Sequence, residues 1–211
     1  IMAAYFVTAA LIGASSEDVN WREIFVFLGV TGILLAVVVK LTIREPIRGA
    51  MEFDDQREIA KPPFIESLKT LLKIPAWWAM CLGIAFGSFV SYSTSAFHTK
   101  YLVTLDPSFD FQTLVIILGF VNGLTYAGGA FFGARLADSW GKKDIRAYGW
   151  LPAISIAICL PLGIAAWWST SVEMNLVFTS LFLIFMGIYL GPSFAIAQTL
   201  APIHMRAMST A

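Results

Sequence analysis

Four long windows of this chain, residues 74–99, 111–134, 147–172 and 174–205, contain no Asp, Glu, Lys or Arg. Each exceeds the roughly 20 apolar residues that a helix needs to cross a bilayer core of about 30 Å. A fifth window, residues 24–39, is apolar between Glu23 and Lys40. The Lys40 stem lets this helix run on to Thr42 while its ammonium reaches the interface. Residues 1–16 are also uncharged and read as the tail of a sixth span. The pattern predicts an all-α, polytopic membrane helix bundle.

Between these windows the only long connection is 44–75, whose middle is polar and mixed in charge (Glu52, Asp54, Asp55, Arg57, Glu58, Lys61). After Pro62 and Pro63, helical spacing puts Phe64, Leu68, Leu71 and Leu72 opposite Glu66, Lys69 and Lys73. That predicts a short amphipathic helix, lying on the inner membrane interface or packed on the cytoplasmic face of the protein. Within the spans, small residues recur four apart: Gly83 and Gly87, Gly119 and Gly123, Gly129 and Gly133, Gly187 and Gly191. Such pairs let helix backbones approach closely where lipid supplies no hydrophobic drive between helices. Pro152, Pro161 and the Gly191-Pro192 step are expected to break the backbone ladder locally.

Composition agrees with the pattern. The chain is 58% hydrophobic and only 13% charged, with mean hydropathy +0.75, against roughly 25% charged residues in soluble domains. Formal net charge is zero, so no basic face argues for nucleic acid. Cys81 and Cys159 each fall in an apolar window with no Cys or His at ligand spacing, which predicts buried thiols with no disulfide or metal role. The connections on one side hold eleven Lys and Arg and those on the other only Arg22 and Lys100. By the positive-inside bias, the side carrying Arg44, Lys73, Arg135 to Arg146 and Arg206 faces the cytoplasm. The tryptophans Trp21, Trp77, Trp78, Trp140, Trp150, Trp167 and Trp168 all stand near predicted span ends, where an indole N–H stays wet.

The charged stretch 131–146, FFGARLADSWGKKDIR, separates two spans. Its Gly133, Leu136, Ala137, Asp138, Gly141, Lys142 and Lys143 resemble the loop signature of the major facilitator superfamily. Ala134 and Ser139 stand where that pattern usually has a glycine and a basic residue. Asn20-Trp21-Arg22 with residues 24–30 resembles the start of the family's sixth helix, and Pro202 to Arg206 the turn before its eleventh. Residues 44–52, REPIRGAME, look like a segment of the Spinster-like branch.

The resemblance implies a twelve-helix secondary carrier seen from its late fifth to its early eleventh helix. Residues 1–43 would end the N-terminal bundle, 44–75 would form the cytoplasmic interdomain loop, and 76–211 most of the C-terminal six-helix half. The rest of the N-terminal half would be the missing partner. The loop residues Gly133, Asp138, Gly141, Lys142, Lys143 and Arg206 would gate the cytoplasmic side, with Gly141 supplying a tight turn and Asp138 capping a neighbouring helix N-terminus. The same residues also fit an ordinary positive-inside hairpin.

Substrate-cavity candidates are the polar and aromatic residues at membrane depth: Tyr92, Ser95, Phe97, Asn122, Tyr126, Tyr189, Ser193 and Gln198. Each also fits an inter-helix hydrogen bond or a packing role. His98, at the outer end of its span, joins them either as a proton-responsive group or as an ordinary interfacial histidine. No acid lies within a complete span, so any coupling carboxylate is expected in the missing half. The expected function is alternating-access transport of an amphipathic lipid or small organic solute with proton coupling, in a plasma or bacterial inner membrane. A membrane enzyme is disfavoured because His98 and His204 fall on opposite sides and no catalytic or metal cluster assembles. A channel would show a charge ring or a carbonyl filter. No cofactor is expected.

Overall fold

The computed structural model describes residues 2–11, 21–43 and 63–201. The segment 44–52, the turn from Pro202 and the residue Arg206 lie outside the described residues. Every element among the described residues is helical: α1 (Met2–Leu11), α2 (Trp21–Thr42), α3 (Phe64–Leu72), α4 (Pro75–Leu105), α5 (Phe111–Gly141), α6 (Ala147–Trp167) and α7 (Val172–Leu200). Five of these, α2 and α4 to α7, are long and apolar enough to cross a membrane. The protein is an integral, multi-pass helix bundle.

Two helices overrun the limits set by charge. α4 continues past Thr99 to Leu105 and α5 past Ala134 to Gly141, each reaching 31 residues, or about 46 Å at 1.5 Å per residue. Lys100, Arg135 and Asp138 are exposed on these outer turns, where a charge carries no cost and the ladder has no reason to stop. Asp110 starts α5: its Oδ2 accepts from the Thr113 backbone N–H at 2.8 Å. The bonds from the Thr113 side chain and backbone hold the Asp110 carboxyl below the usual carboxylate range. Asp106 is held low in the same way by Ser108, whose hydroxyl and N–H donate to it at 2.6 and 3.0 Å. We expect Asp110→Ala to lower the thermal midpoint and Asp110→Asn to retain most of the cap. The ionic part of the cap is complete above the ordinary carboxylate range and fades as pH falls through the lowered folded-state value. Melting wild type and both variants between about pH 7 and 3 checks this: wild type should converge on Asp110→Asn at the acid end.

α7 is the hub, and α5 lies against it with almost no side chain between them. A Cβ at Gly133 would stand 2.6 Å from the Ile188 Cα and oxygen, and one at Gly187 2.7 Å from the Ala130 nitrogen, inside the 3.0 Å that real Cβ atoms respect. Gly129 meets the Ile184 carbonyl still more closely. Pro192 does not break α7, which runs on to Leu200. It leaves the Ile188 carbonyl without its usual N–H, and Gly133 turns a Cα hydrogen toward that oxygen. The other expected pairs are used singly or not at all. Gly87 makes room for the Tyr189 ring and Gly119 for Tyr5, whereas Gly83 and Gly191 face open space. Pro152 and Pro161 are also accommodated inside continuous α6. Both cysteines are free, Cys159 buried and Cys81 half-buried.

α1 packs on the first half of α5. Phe6 meets Phe120 edge-on at 4.9 Å, Ala9 packs on Val115, and Gln112 donates to the Ala9 carbonyl at 3.0 Å. Further along α5, Phe131, Phe132 and Leu136 are exposed. α3 forms as the sequence predicts. Leu71 is buried at its junction with α4, and the Trp78 indole donates to the Leu72 carbonyl at 3.2 Å. Ile65 and Leu72 stay open, so one helix edge packs on protein while the other is free for the interface.

Candidate functional site

At the middle of α5 the helix widens into a π-helical turn, Val121–Thr125. The longer spacing displaces carbonyls from their ordinary donors, and two side chains compensate. The Asn122 amide donates to the Leu118 carbonyl at 2.8 Å, and the Thr125 hydroxyl donates to the Val121 carbonyl. Such turns recur at functional sites. Tyr126, one residue beyond, packs against the cluster of Cys159, Phe182, Met186 and Tyr189. It also lies within electrostatic range of both Tyr92 and Tyr189. The structure therefore brings Tyr92, Asn122, Tyr126 and Tyr189, from α4, α5 and α7, to one level.

The remaining cavity candidates separate. Tyr189 is fully buried and Ser193 donates to its carbonyl at 2.7 Å, so Ser193 seals the helix rather than facing a cavity. Gln198 is exposed one turn further on. Tyr92 and Ser95 stand on an open side of α4. Phe97 is open too, but at 100° per residue it points about 200° away from Ser95.

His98 is buried inside the bundle. It is only 6% exposed, and its Nε2 lies 2.7 Å from Asn175 Oδ1 and 3.3 Å from the Thr179 hydroxyl on α7. The Asn175 amide nitrogen donates in turn to the Ala166 carbonyl at 2.7 Å. Tyr101 donates between the carbonyls of Trp167 (3.0 Å) and Ser169 (3.1 Å). Ala166 and Trp167 are the last residues of α6 and Ser169 follows it, so one polar knot ties together the outer ends of α4, α6 and α7. Asn175 and Thr179 were not singled out by sequence reasoning. The available signal was an amide inside an apolar window, the same signal that drew attention to Asn122 and Gln198.

A cavity of about 560 Å³ runs below this knot between α4, α6 and α7. Its walls are apolar, with Phe86, Val90, Leu160 and Phe182 among them, and Thr94 and Thr179 form its polar end. No predicted cavity residue lines it. No group of three or more His, Cys, Asp or Glu placed to hold a metal occurs among the described residues.

In the charged loop, the helix persists through Gly141, and the turn comes after it, at Lys142 and Lys143. Gly141 is thus not the turn residue. It leaves the space in which the Tyr148 ring lies. That ring carries a hydroxyl that donates to Asp138 Oδ1 at 3.1 Å, joining the last turn of α5 to the first of α6. Asp138, Lys142 and Lys143 are exposed, and Gly133 is consumed by the α5–α7 contact.

Comparison with known proteins fits this architecture. The sequence profile of the Major Facilitator Superfamily matches residues 1–211. An MFS-type efflux pump of Mycolicibacterium smegmatis is 25% identical over 210 residues, 97% of this chain and 47% of that protein. Two crystal structures of a bacterial homolog to the human lysosomal transporter Spinster are similar in fold. The inward-facing, unoccupied form superposes with TM-score 0.69 at 27% identity, over 98% of this chain and 44% of that one. The inward-facing, occupied form gives 0.66 at 26%, over 99% and 45%. The chain spans about half the length of the relatives it matches. With its helix order, its glycine-packed α5–α7 pair and its matched length, the chain belongs to the Major Facilitator Superfamily, a family of transporters rather than enzymes, and it resembles the Spinster-like branch.

Proposed function

We propose that these residues are the middle and C-terminal part of a secondary carrier that works by alternating access. In this reading α1 and α2 (within residues 1–43) end the N-terminal bundle, residues 44–75 link the halves, and residues 76–211 build most of the C-terminal bundle. The numbering would run from the late fifth to the early eleventh of the family's helices. The observation that carries the reading is the fold itself: a multi-pass bundle whose α5 and α7 pack backbone to backbone and which superposes on inward-facing structures of a transporter homolog. Phe6, Ala9 and Tyr5 of α1 meet the first half of α5, which in this reading is a seam of contact between the two bundles.

The substrate we infer is an amphipathic lipid or small organic solute moved with proton coupling. Tyr92, Asn122 and Tyr126 would hold its polar part, and Ser95 and Phe97 would flank their helix. Asp138, Lys142, Lys143 and Arg206 would act at the cytoplasmic gate. The relatives' names, an efflux pump and a transporter homolog, support transport; the substrate class rests on the resemblance of residues 44–52 to the Spinster-like branch.

A cross-link tests the cycle. With cysteines at Ala9 and Gln112 of the whole protein, oxidation is expected to cut transport at least about tenfold, and reduction should restore it, because the outer seam must part once per cycle. Undiminished transport by the fully cross-linked protein would refute alternating access at this seam. Offering a single-chain phospholipid beside a hydrophilic solute tests the substrate. Movement of the hydrophilic solute alone removes the lipid assignment.

A further inference from the structure

α4 is held to the rest of the bundle at few points, since only 6% of its most apolar window is buried. Two of them are pegs to α7. In the middle, the Tyr189 ring sits under Gly87; at the outer end, His98 bonds to Asn175 and Thr179.

The outer peg has a defined proton arrangement. Asn175 spends its amide N–H on the Ala166 carbonyl, so its oxygen must face His98. An oxygen in that place only accepts, which makes His98 Nε2 the donor and leaves Nδ1 with the lone pair. A proton arriving from the outer solution therefore adds at Nδ1 without breaking the Nε2–H bond. The imidazole becomes an imidazolium, and no other group needs to change.

Among the described residues no carboxylate lies against that charge. On α4 the neighbours are Lys100, which is exposed, and Tyr101, which donates to the α6 carbonyls. α6 carries no Asp, Glu, Lys, Arg or His, and its Cys159 lies two turns below Ala166. α7 presents the neutral Asn175 and Thr179, with Glu173 on its exposed side. α1 presents Tyr5, which reaches Thr99. Asp106 and Asp110, in the connection above, are half-buried and exposed respectively, and are bonded to Ser108 and Thr113. A charge so placed needs water or an anion, and water reaches it when the outer end of α4 lifts from α7.

We propose that His98 is a proton-binding site that, with Asn175 and Thr179, forms a pH-sensitive peg seating the outer end of α4 on α7. This deepens the carrier reading by naming where a proton acts in a bundle whose charge-free windows hold no acid, yet its test needs no transport. The Trp167 ring lies 6.3 Å from the His98 ring and 4.8 Å from Tyr101, so the indole reports on the knot.

The whole protein in lipid nanodiscs, without substrate, would be titrated from about pH 8.5 to 4.5. Tryptophan emission and amide exchange of residues 98–105 would both be followed. Wild type is expected to show a single-proton emission step, with exchange at the outer end of α4 rising about tenfold on the acid side. His98→Gln, which keeps a donor toward Asn175 but cannot titrate, should lose both responses. Trp167→Phe should lose the emission step and keep the exchange response, so the proposal stays testable if His98→Gln does not fold. A wild type without a step, or an exchange response that persists in His98→Gln, overturns the proposal. Either result leaves the carrier reading standing, since that reading is decided by the seam cross-link.

Discussion

Gly187→Leu is expected to push α7 off α5 and to cost the bundle about 3 kcal/mol, at the upper end of overpacking penalties. The reason is what surrounds the missing Cβ. Its neighbours are backbone atoms: the Tyr126 carbonyl, the Ala130 nitrogen and the Gly129 carbonyl carbon. A side chain in the way could change rotamer, but two helix backbones can separate only together, along their whole contact. In lipid the lost contact is not replaced by hydrophobic drive, because the acyl chains are as apolar as the helices. The same logic ranks the other glycines. Gly129→Leu and Gly133→Leu should behave like Gly187→Leu, since Ile184 and Ile188 face them with backbone. Gly87→Leu should cost less, because the obstacle is the Tyr189 ring, and Gly83→Leu and Gly191→Leu should be near neutral in open space. Reversible unfolding in mixed micelles would measure the series. Equal stability of Gly187→Leu and Gly191→Leu would contradict the described α5–α7 contact.

That ranking also shows what the sequence could and could not convey. Charge-free windows located all five candidate spans, because the bilayer sets both their length and their composition. The ends were less legible. α4 and α5 continue for a turn or more outside the apolar layer, where exposed charges such as Lys100 and Asp138 do not oppose a helix. The four glycine pairs looked alike in sequence, yet only Gly129 and Gly133 both meet a partner backbone. Which face of a helix meets a neighbour depends on rotation about its axis, and a four-residue spacing does not specify that rotation.

The candidate site was legible in the same partial way. Asn122 and Tyr126 stood out as polar groups in an apolar window, and the structure adds the π turn that places them. Gly141 was recognisable as part of the loop signature, but its use as a socket for Tyr148 depends on how α6 folds back. His98 was read as interfacial because the apolar window ends beside it. Its burial depends on Asn175, a residue 77 positions away in the chain. No local pattern carries that pairing.

Asn175→Leu should therefore be the most damaging polar substitution in the bundle, with an expected loss of about 2 kcal/mol. A typical inter-helix hydrogen bond in a membrane averages about 0.6 kcal/mol and reaches about 1.7 kcal/mol, so a single bond would not justify the larger figure. Asn175 makes two short ones, from His98 and to the Ala166 carbonyl, and a long one from Thr179 at 3.4 Å, and it is only 1% exposed. Leucine would remove these and leave the His98 N–H only the long 3.3 Å contact with the Thr179 hydroxyl, which adds part of a desolvation penalty of about 1–3 kcal/mol to the lost bonds unless water enters. The Ala166 carbonyl keeps the Ser169 hydroxyl at 2.6 Å and the Ser169 backbone N–H at 3.3 Å, which limits the damage on that side. Thr179→Val should cost under about 1 kcal/mol, because its bonds at 3.3 and 3.4 Å are long and His98 retains Asn175. Pairing Asn175→Leu with His98→Leu in a double-mutant cycle separates the terms. Removing both partners eliminates the stranded donor, so the double variant should recover part of the loss and the coupling should exceed about 1 kcal/mol. Additive costs would mean that the two side chains act independently and that the knot does not hold α4 to α7.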